Sequence, residues 1–532
     1  MIMCLFSILL IVTMMYPVRS YYVHKSQVYA RGNNSKIQFT RNNIDIDKEH
    51  RQSVASSKQL NVVASDSPDN TDKEKEKNDS PNLTQSYIIL FFLILTFTSN
   101  QWSRQALYYL CDFSVQGNPF NHINVALNFD KEMYAALASF GFTITFALTS
   151  IWSGNISDKY NRKYIIALSS FVWSISTYLQ GFAQSFVELV PFRILIGISQ
   201  ALYNPAAYTL LAEIFPKSMV GAVNGIFTSG IYFGGSLASL SILLDSKVGW
   251  RDTLNIVGGL GMLISALAFV VVIEPRKNSN NSQDSSENSS EINNETLQLK
   301  ESDAGITSDV NNFYTIIESL KEILESDEAR SLYLATFFRF CAGFSIGIWK
   351  APFIFDKFPG NEALFASANA FIIAIAGVLS SLVGGYISDA IANPKDNSRR
   401  PYARAWVPAV GSLLAAPLWI AFVSVNDPIE AAGFLLLEYL VAECWFGPTL
   451  AALFVVVPKE RRGLAQGLFS FLTAIGNIAP VIVGALAGGA LGSYQLQDVL
   501  LYSVSGSYIL CSLLFVNAAL IQDKKLLSTW KK

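Results

Sequence analysis

Two pentapeptides decide how this chain is read. Gly154-Asn-Ile-Ser-Asp158 closes one long apolar run, and Gly385-Tyr-Ile-Ser-Asp389 closes another. Further on, Pro216-Lys217 precedes Gly221, Gly225 and Phe227, and Pro458-Lys459 precedes Gly463, Gly467 and Phe469 at the same spacing. Around these markers, apolar runs recur at 86–110, 133–153, 163–183, 188–210, 219–243 and 253–273, and again at 331–353, 365–388, 405–424, 431–455, 463–488 and 499–521. Each is near the length of about 20 residues that crosses a bilayer as a helix. Backbone amides in hydrocarbon must be paired within their own segment, and the runs exceed the roughly ten-residue strands of a membrane barrel. The expectation is an all-α membrane protein of twelve transmembrane helices, in two six-helix pseudo-repeats. Such duplications build secondary transporters whose halves rock about a site at the bilayer midplane.

Composition agrees. Of 532 residues, 51% are hydrophobic and 15% charged, which excludes a soluble multidomain enzyme. A net charge of −2 with scattered bases excludes a nucleic-acid surface. Cys4, Cys341, Cys444 and Cys511 lie inside apolar runs and Cys111 at the end of one, without disulfide or zinc spacing. His24, His50 and His122 lie outside the long runs, so no intramembrane metal or haem is expected, and no cofactor. With no Walker-type loop and no buried nucleophile–base pair, neither an ATP-driven pump nor an enzyme is supported.

Lys and Arg in the short connections number fifteen on one side, from Lys159, Arg162 and Lys163 to the C-terminal Lys531 and Lys532, against Lys131, Lys247, Arg251 and Lys357 on the other. The positive-inside rule places the richer side in the cytosol. The expected organisation is a largely disordered leader or tail over 1–85, a six-helix bundle over 86–273, a cytosolic linker over 274–330, a second bundle over 331–522 and a basic tail over 523–532. Within the linker, Phe313, Ile316, Ile317, Leu320, Ile323 and Leu324 recur at helical spacing, which predicts a short amphipathic helix. Met1–Tyr16 reads either as a signal anchor or as the start of a bipartite leader to a complex plastid, with a plain cleaved signal behind both. The membrane is accordingly the plasma membrane or an endomembrane, or alternatively that of a complex plastid.

Gly154-x-x-x-Asp158-Lys159-x-Asn161-Arg162-Lys163 resembles the loop signature of the major facilitator superfamily, with Asn161 where the signature has a second glycine. Arg193-x-x-x-Gly197-x-x-x-Ala201 resembles its fourth-helix motif. Glu438, Trp445 and Val455-Val-Val-Pro458, with Trp349-Lys-Ala-Pro352, resemble the spinster-like branch. The resemblance implies gating by Asp158, Arg162 and Asp389, with Asp158 facing the start of span 11 and Asp389 the start of span 5 once the cytosolic side closes. It also implies a small-molecule or lysolipid-like substrate and a monomeric carrier surrounded by membrane lipid. Spinster-like carriers carry an Asp before the first-helix Arg and a Glu in the fourth helix. This chain has Ser103 and Gln200 there, which puts proton coupling through that pair in doubt.

Charge inside a membrane is costly, so intramembrane polar residues carry the functional expectation. Asn100, Gln101 and Arg104 form a polar face on span 1; Arg193, Gln200 and Asn204 form a stripe on span 4. Span 7 carries Arg339 and Lys350. Span 10 carries Glu438 with Trp445 on the same face, while Glu443 is expected to point elsewhere. Four cations against two anions favour an anionic or zwitterionic substrate, Arg being suited to bidentate capture of carboxylate or phosphate. Glu438, or Glu443, is the remaining candidate for proton coupling. Alternatives are a sugar or organic-acid carrier and a non-transporting sensor on a carrier scaffold. Gly221, Gly225, Gly230, Gly234 and Gly235 read as close-packing positions.

Overall fold

The computed structural model describes residues 82–114, 122–216, 219–275, 318–392, 401–458, 461–489, 491–492 and 494–530. The leader, most of the linker, Lys217, Lys459 and the last two residues lie outside the described residues. Among those described, the chain is helical, without strands.

Ten stretches are long and apolar enough to cross a membrane. One of them, Val223–Val271, is two helices folded back at Gly249. There φ is +82°, a left-handed conformation that a side chain would strain. A further helix, Arg162–Gln180, is less apolar and falls outside those ten. Twelve long helices result among the described residues. They are α1 (Leu83–Tyr109), α2 (131–159), α3 (Arg162–Gln180), α4 (Phe186–Ile214), α5 (220–248), α6 (250–271), α7 (Asp327–Lys357), α8 (Glu362–Ala392), α9 (Trp406–Ser424), α10 (Pro428–Val456), α11 (462–488) and α12 (Leu496–Trp530).

Small residues let these helices approach closely. In the first half, a Cβ on Gly234 of α5 would meet Gln101 of α1, one on Gly197 of α4 would meet Thr145 of α2, and one on Gly261 of α6 would meet Ser174 of α3. In the second, Gly384 of α8 and Gly411 of α9 both abut Cys444 of α10, and Gly476 of α11 abuts Phe340 of α7. Hydrogen bonds between helices add to this packing, as from Ser170 to Ser265 (2.8 Å) and from Trp419 to the Leu500 carbonyl (3.1 Å). One expectation about glycine is corrected. Gly230 and Gly234 pack against α1, but nothing lies within 4 Å of a Cβ built on Gly225.

That open space is part of a pattern. At the ends assigned to the outside, α2 meets α11 and α5 meets α8. Ser139 donates to the Asn477 carbonyl, Tyr134 to Ile348 O (2.7 Å), Ser239 to Ala366 O (3.0 Å) and Ser114 to Phe355 O (3.5 Å). Toward the cytosol the same helix pairs carry Gly154 and Gly467, and Gly225 and Gly385, all four facing open space. Hydrogen bonds between the halves thus gather toward the ends assigned to the outside, while these four glycines meet no neighbour toward the other end, an arrangement we read as inward-open.

The linker's described end is a helix over 318–325. Ile323 is buried, and Arg461 at the start of α11 pairs with Glu322 (2.6 Å) and donates to Ser319.

Candidate functional site

Two polar clusters occupy the interior, one in each half. In the first, Arg193 is buried, donates to the Arg104 carbonyl (3.0 Å), and leaves its Nε without a partner. Arg104 stands over the Phe142 ring at 5.3 Å, and its Nε is likewise unpartnered. The ionisable groups facing Arg193 are Tyr108, Cys111, Tyr134 and Arg104 itself. Among the described residues, no carboxylate pairs with either guanidinium. Around them, Gln200 donates to the Asn100 carbonyl (3.0 Å), and Gln105, Gln101 and Asn100 form a chain of amides at 3.3 and 3.2 Å. Asn100 Nδ2, Ser103 Oγ, Thr143 Oγ1 and Asn204 Oδ1 are buried without hydrogen-bond partners. Unmet polar atoms of this kind are costly unless a ligand or water completes them.

The second cluster differs in having its charges matched by carboxylates, although Arg339 Nε is also left without a hydrogen-bond partner. Arg339 pairs with Glu443 (2.9 Å), donates to the Ala442 carbonyl (2.9 Å), and lies 5.2 Å from the rings of both Trp445 and Tyr508. Tyr508 donates to Glu438. Lys350 is buried and donates to the Tyr439 hydroxyl (3.0 Å), with Glu438 and Glu443 as its charged neighbours. Two cations thus face two carboxylates. Glu443 corrects the expectation that it points away. The helix Pro428–Ala442 passes into a 3-10 turn at Glu443–Trp445, and this tighter winding brings Glu443 onto Arg339. Tyr232, from α5 of the first half, faces Glu443 and Arg339, its ring lying in the space a Cβ on Gly377 would fill.

At the cytosolic rim, Arg162 is fully buried and binds Glu274 and Glu213, tying the start of α3 to the ends of α4 and α6. Asp389 pairs with Arg404 of its own half (2.9 Å) and not with the start of α5. The expected cross-half contact belongs to the cytosol-closed state, and this structure is open there.

Spacing marked most of both clusters, but Tyr508, Tyr439, Tyr232, Phe142 and Asn369 went unmarked. Tyr508, Tyr232, Phe142 and Asn369 sit in apolar runs with no charged neighbour to draw notice, and Tyr439 stands beside Glu438, which drew the notice instead. Asn369 donates to Tyr109 (3.2 Å) and Ser239 (2.8 Å) across the seam.

This arrangement of paired six-helix units about central charges is met in known proteins. The family model for the Major Facilitator Superfamily matches residues 105–480. The chain belongs to the major facilitator superfamily. A protein of Escherichia coli named as a probable galactarate/D-glucarate transporter is 27% identical over 392 residues, covering 68% of this chain and 82% of that protein. Drosophila melanogaster protein spinster is 26% identical over 373 residues, covering 66% of this chain and 55% of spinster. The crystal structure of a bacterial homologue of the human lysosomal transporter spinster, inward-facing and unoccupied, superposes with a TM-score of 0.61 at 20% identity, covering 83% of this chain and 97% of that one. As a major facilitator protein, the chain is an integral multi-pass membrane transporter of small molecules, driven without ATP.

Proposed function

We propose that this carrier moves a small organic anion, captured in the first half by Arg104 and Arg193. One observation carries the reading: the buried Arg193 and half-buried Arg104 stand beside orphaned polar atoms with no carboxylate among the described residues to neutralise them. An anion with carboxylate, sulfonate or phosphate oxygens supplies the missing charge, while Asn100, Gln101, Gln200 and Asn204 suit a hydroxylated body. The relatives named for galactarate, D-glucarate and sulfoacetate support an organic acid over a neutral sugar. Lys350, Arg339, Glu438 and Trp445 form the opposing wall, and Glu438 with Glu443 carries proton coupling, since Ser103 and Gln200 cannot. Asp158, Arg162 and Asp389 gate the cytosolic side. The carrier works as a monomer in the plasma membrane or an endomembrane.

The test is counterflow in proteoliposomes loaded with galactarate, sulfoacetate, a lysophospholipid or glucose. Exchange of the acids, lost on Arg104→Gln, is the expected result. Exchange of glucose alone would refute the anion reading, exchange of the lysophospholipid alone would redirect it to an amphiphile, and no exchange of any solute favours a sensor. A Glu438→Gln carrier that still accumulates substrate under a pH gradient excludes Glu438 as the coupling group.

A further inference from the structure

The outer seam holds titratable side chains that the anion site does not use. His122 precedes the short helix Ile123–Ala126 in the connection between α1 and α2. Its Nε2 lies 3.9 Å from Asp112 Oδ2 and its Nδ1 lies 3.5 Å from Asp245 Oδ2 of α5. The aspartate side chains are only 3% and 7% exposed. Asp112 accepts from Ser114 N (2.8 Å) and Ser114 Oγ (2.6 Å). Asp245 Oδ1 and His122 Nδ1 have no hydrogen-bond partner.

A neutral imidazole has one donor nitrogen and one acceptor nitrogen. With a carboxylate opposite each, a fully deprotonated trio sets the ring's lone pair against an oxyanion. One added proton, on the ring or on Asp245, removes that conflict. Because the aspartates approach different ring nitrogens, a single metal ion has no common point at which to gather both with the imidazole. The geometry therefore suits a proton.

The group also touches the opposite half. Ser114, which holds Asp112, reaches the Phe355 carbonyl of α7. Glu362, in the first turn of α8, faces His122. The remaining nearby groups are the Cys111 thiol, which faces Asp112, Asp245 and Arg193, the exposed Lys247 of α5, and Lys357 of α7, which turns to the Val423 carbonyl. Burial lowers the proton affinity of His122, and Asp112 and Glu362 oppose that effect.

We propose that His122, Asp112 and Asp245 bind one proton from the exterior compartment, and that this proton favours the outward-sealed, inward-open state. Sealing brings Glu362 toward the two aspartates, so three carboxylates gather around one imidazole. The added proton offsets one negative charge and lowers the cost of closure. By linkage, the sealed state then holds the proton more tightly, and acidifying the exterior shifts the population toward it. The site is a pH sensor on the outer gate, separate from any proton that travels with substrate.

The experiment uses the full chain in nanodiscs, without substrate, so its result does not depend on the anion reading. Spin labels on the outer ends of α5 and α8 report the sealed fraction between pH 5 and 8. The wild type is expected to seal progressively as pH falls, with the sealed-to-open ratio changing by at most about tenfold per pH unit for one proton. His122→Gln is expected to abolish the dependence and favour the open outer gate, and His122→Lys to hold the gate sealed throughout. Glu362→Gln, at the half-buried rim, is expected to raise the sealed fraction at pH 8 and flatten the curve; it decides the matter alone if the His122 variants do not fold. A His122→Gln curve that overlays the wild type, or a Glu362→Gln curve unchanged from it, overturns the proposal.

Discussion

The two halves descend from one repeated pattern, yet they handle buried charge in opposite ways. Arg104 and Arg193 in the first half have no carboxylate partner among the described residues, whereas Arg339 and Lys350 in the second are set against Glu443 and Glu438. A paired charge in a membrane interior is part of the fold, and an unpaired one is a vacancy for something else. On the function proposed above, the first half supplies the counter-charge for the anion and the second a charge-matched wall that holds the coupling carboxylates.

The largest effect that separates them is on folding. Arg339→Met leaves Glu443 without its ion-pair partner, and is expected to cost about 3–5 kcal/mol of stability in detergent-solubilised unfolding. Adding Glu443→Gln should restore part of that loss, and no restoration breaks the idea of a matched pair. Next in size is ligand stabilisation. A transported anion at 100 times its Kd should add about 2.7 kcal/mol in thermal unfolding of the wild type. That gain should vanish in Arg104→Met and persist in Arg404→Gln.

Arg104→Met should slow anion exchange by about 10–100-fold, the worth of a charged hydrogen bond, with the folded state little changed. If it unfolds the protein as Arg339→Met does, the contrast fails. The smallest effect belongs to Asp389→Asn. Its carboxylate is 71% exposed beside Arg404, so stability should move by no more than about 1 kcal/mol, as measured by thermal unfolding.

The twelve apolar runs were legible because hydrocarbon imposes a length and a helical backbone on any spanning segment. Arg104, Arg193, Arg339 and Glu438 were legible because charge inside such a run is rare enough to stand out. Glu443 was misread because its direction depends on a change of winding at Glu443–Trp445 that residue spacing does not carry. Tyr508 and Tyr232 matter through the partners they reach across the bundle, and those contacts arise only when distant helices meet. The sealed outer face was equally hidden, since it rests on Ser114, Ser139 and Ser239, residue types common throughout the chain.

Those serines have a consequence of their own. With Tyr134, they send hydroxyls from one half onto main-chain oxygens of the other. A main-chain oxygen is present whatever residue bears it, so the accepting surface tolerates substitution as long as its helices hold their course. Cargo preference on that side could therefore diverge through mutation without the lock having to be rebuilt.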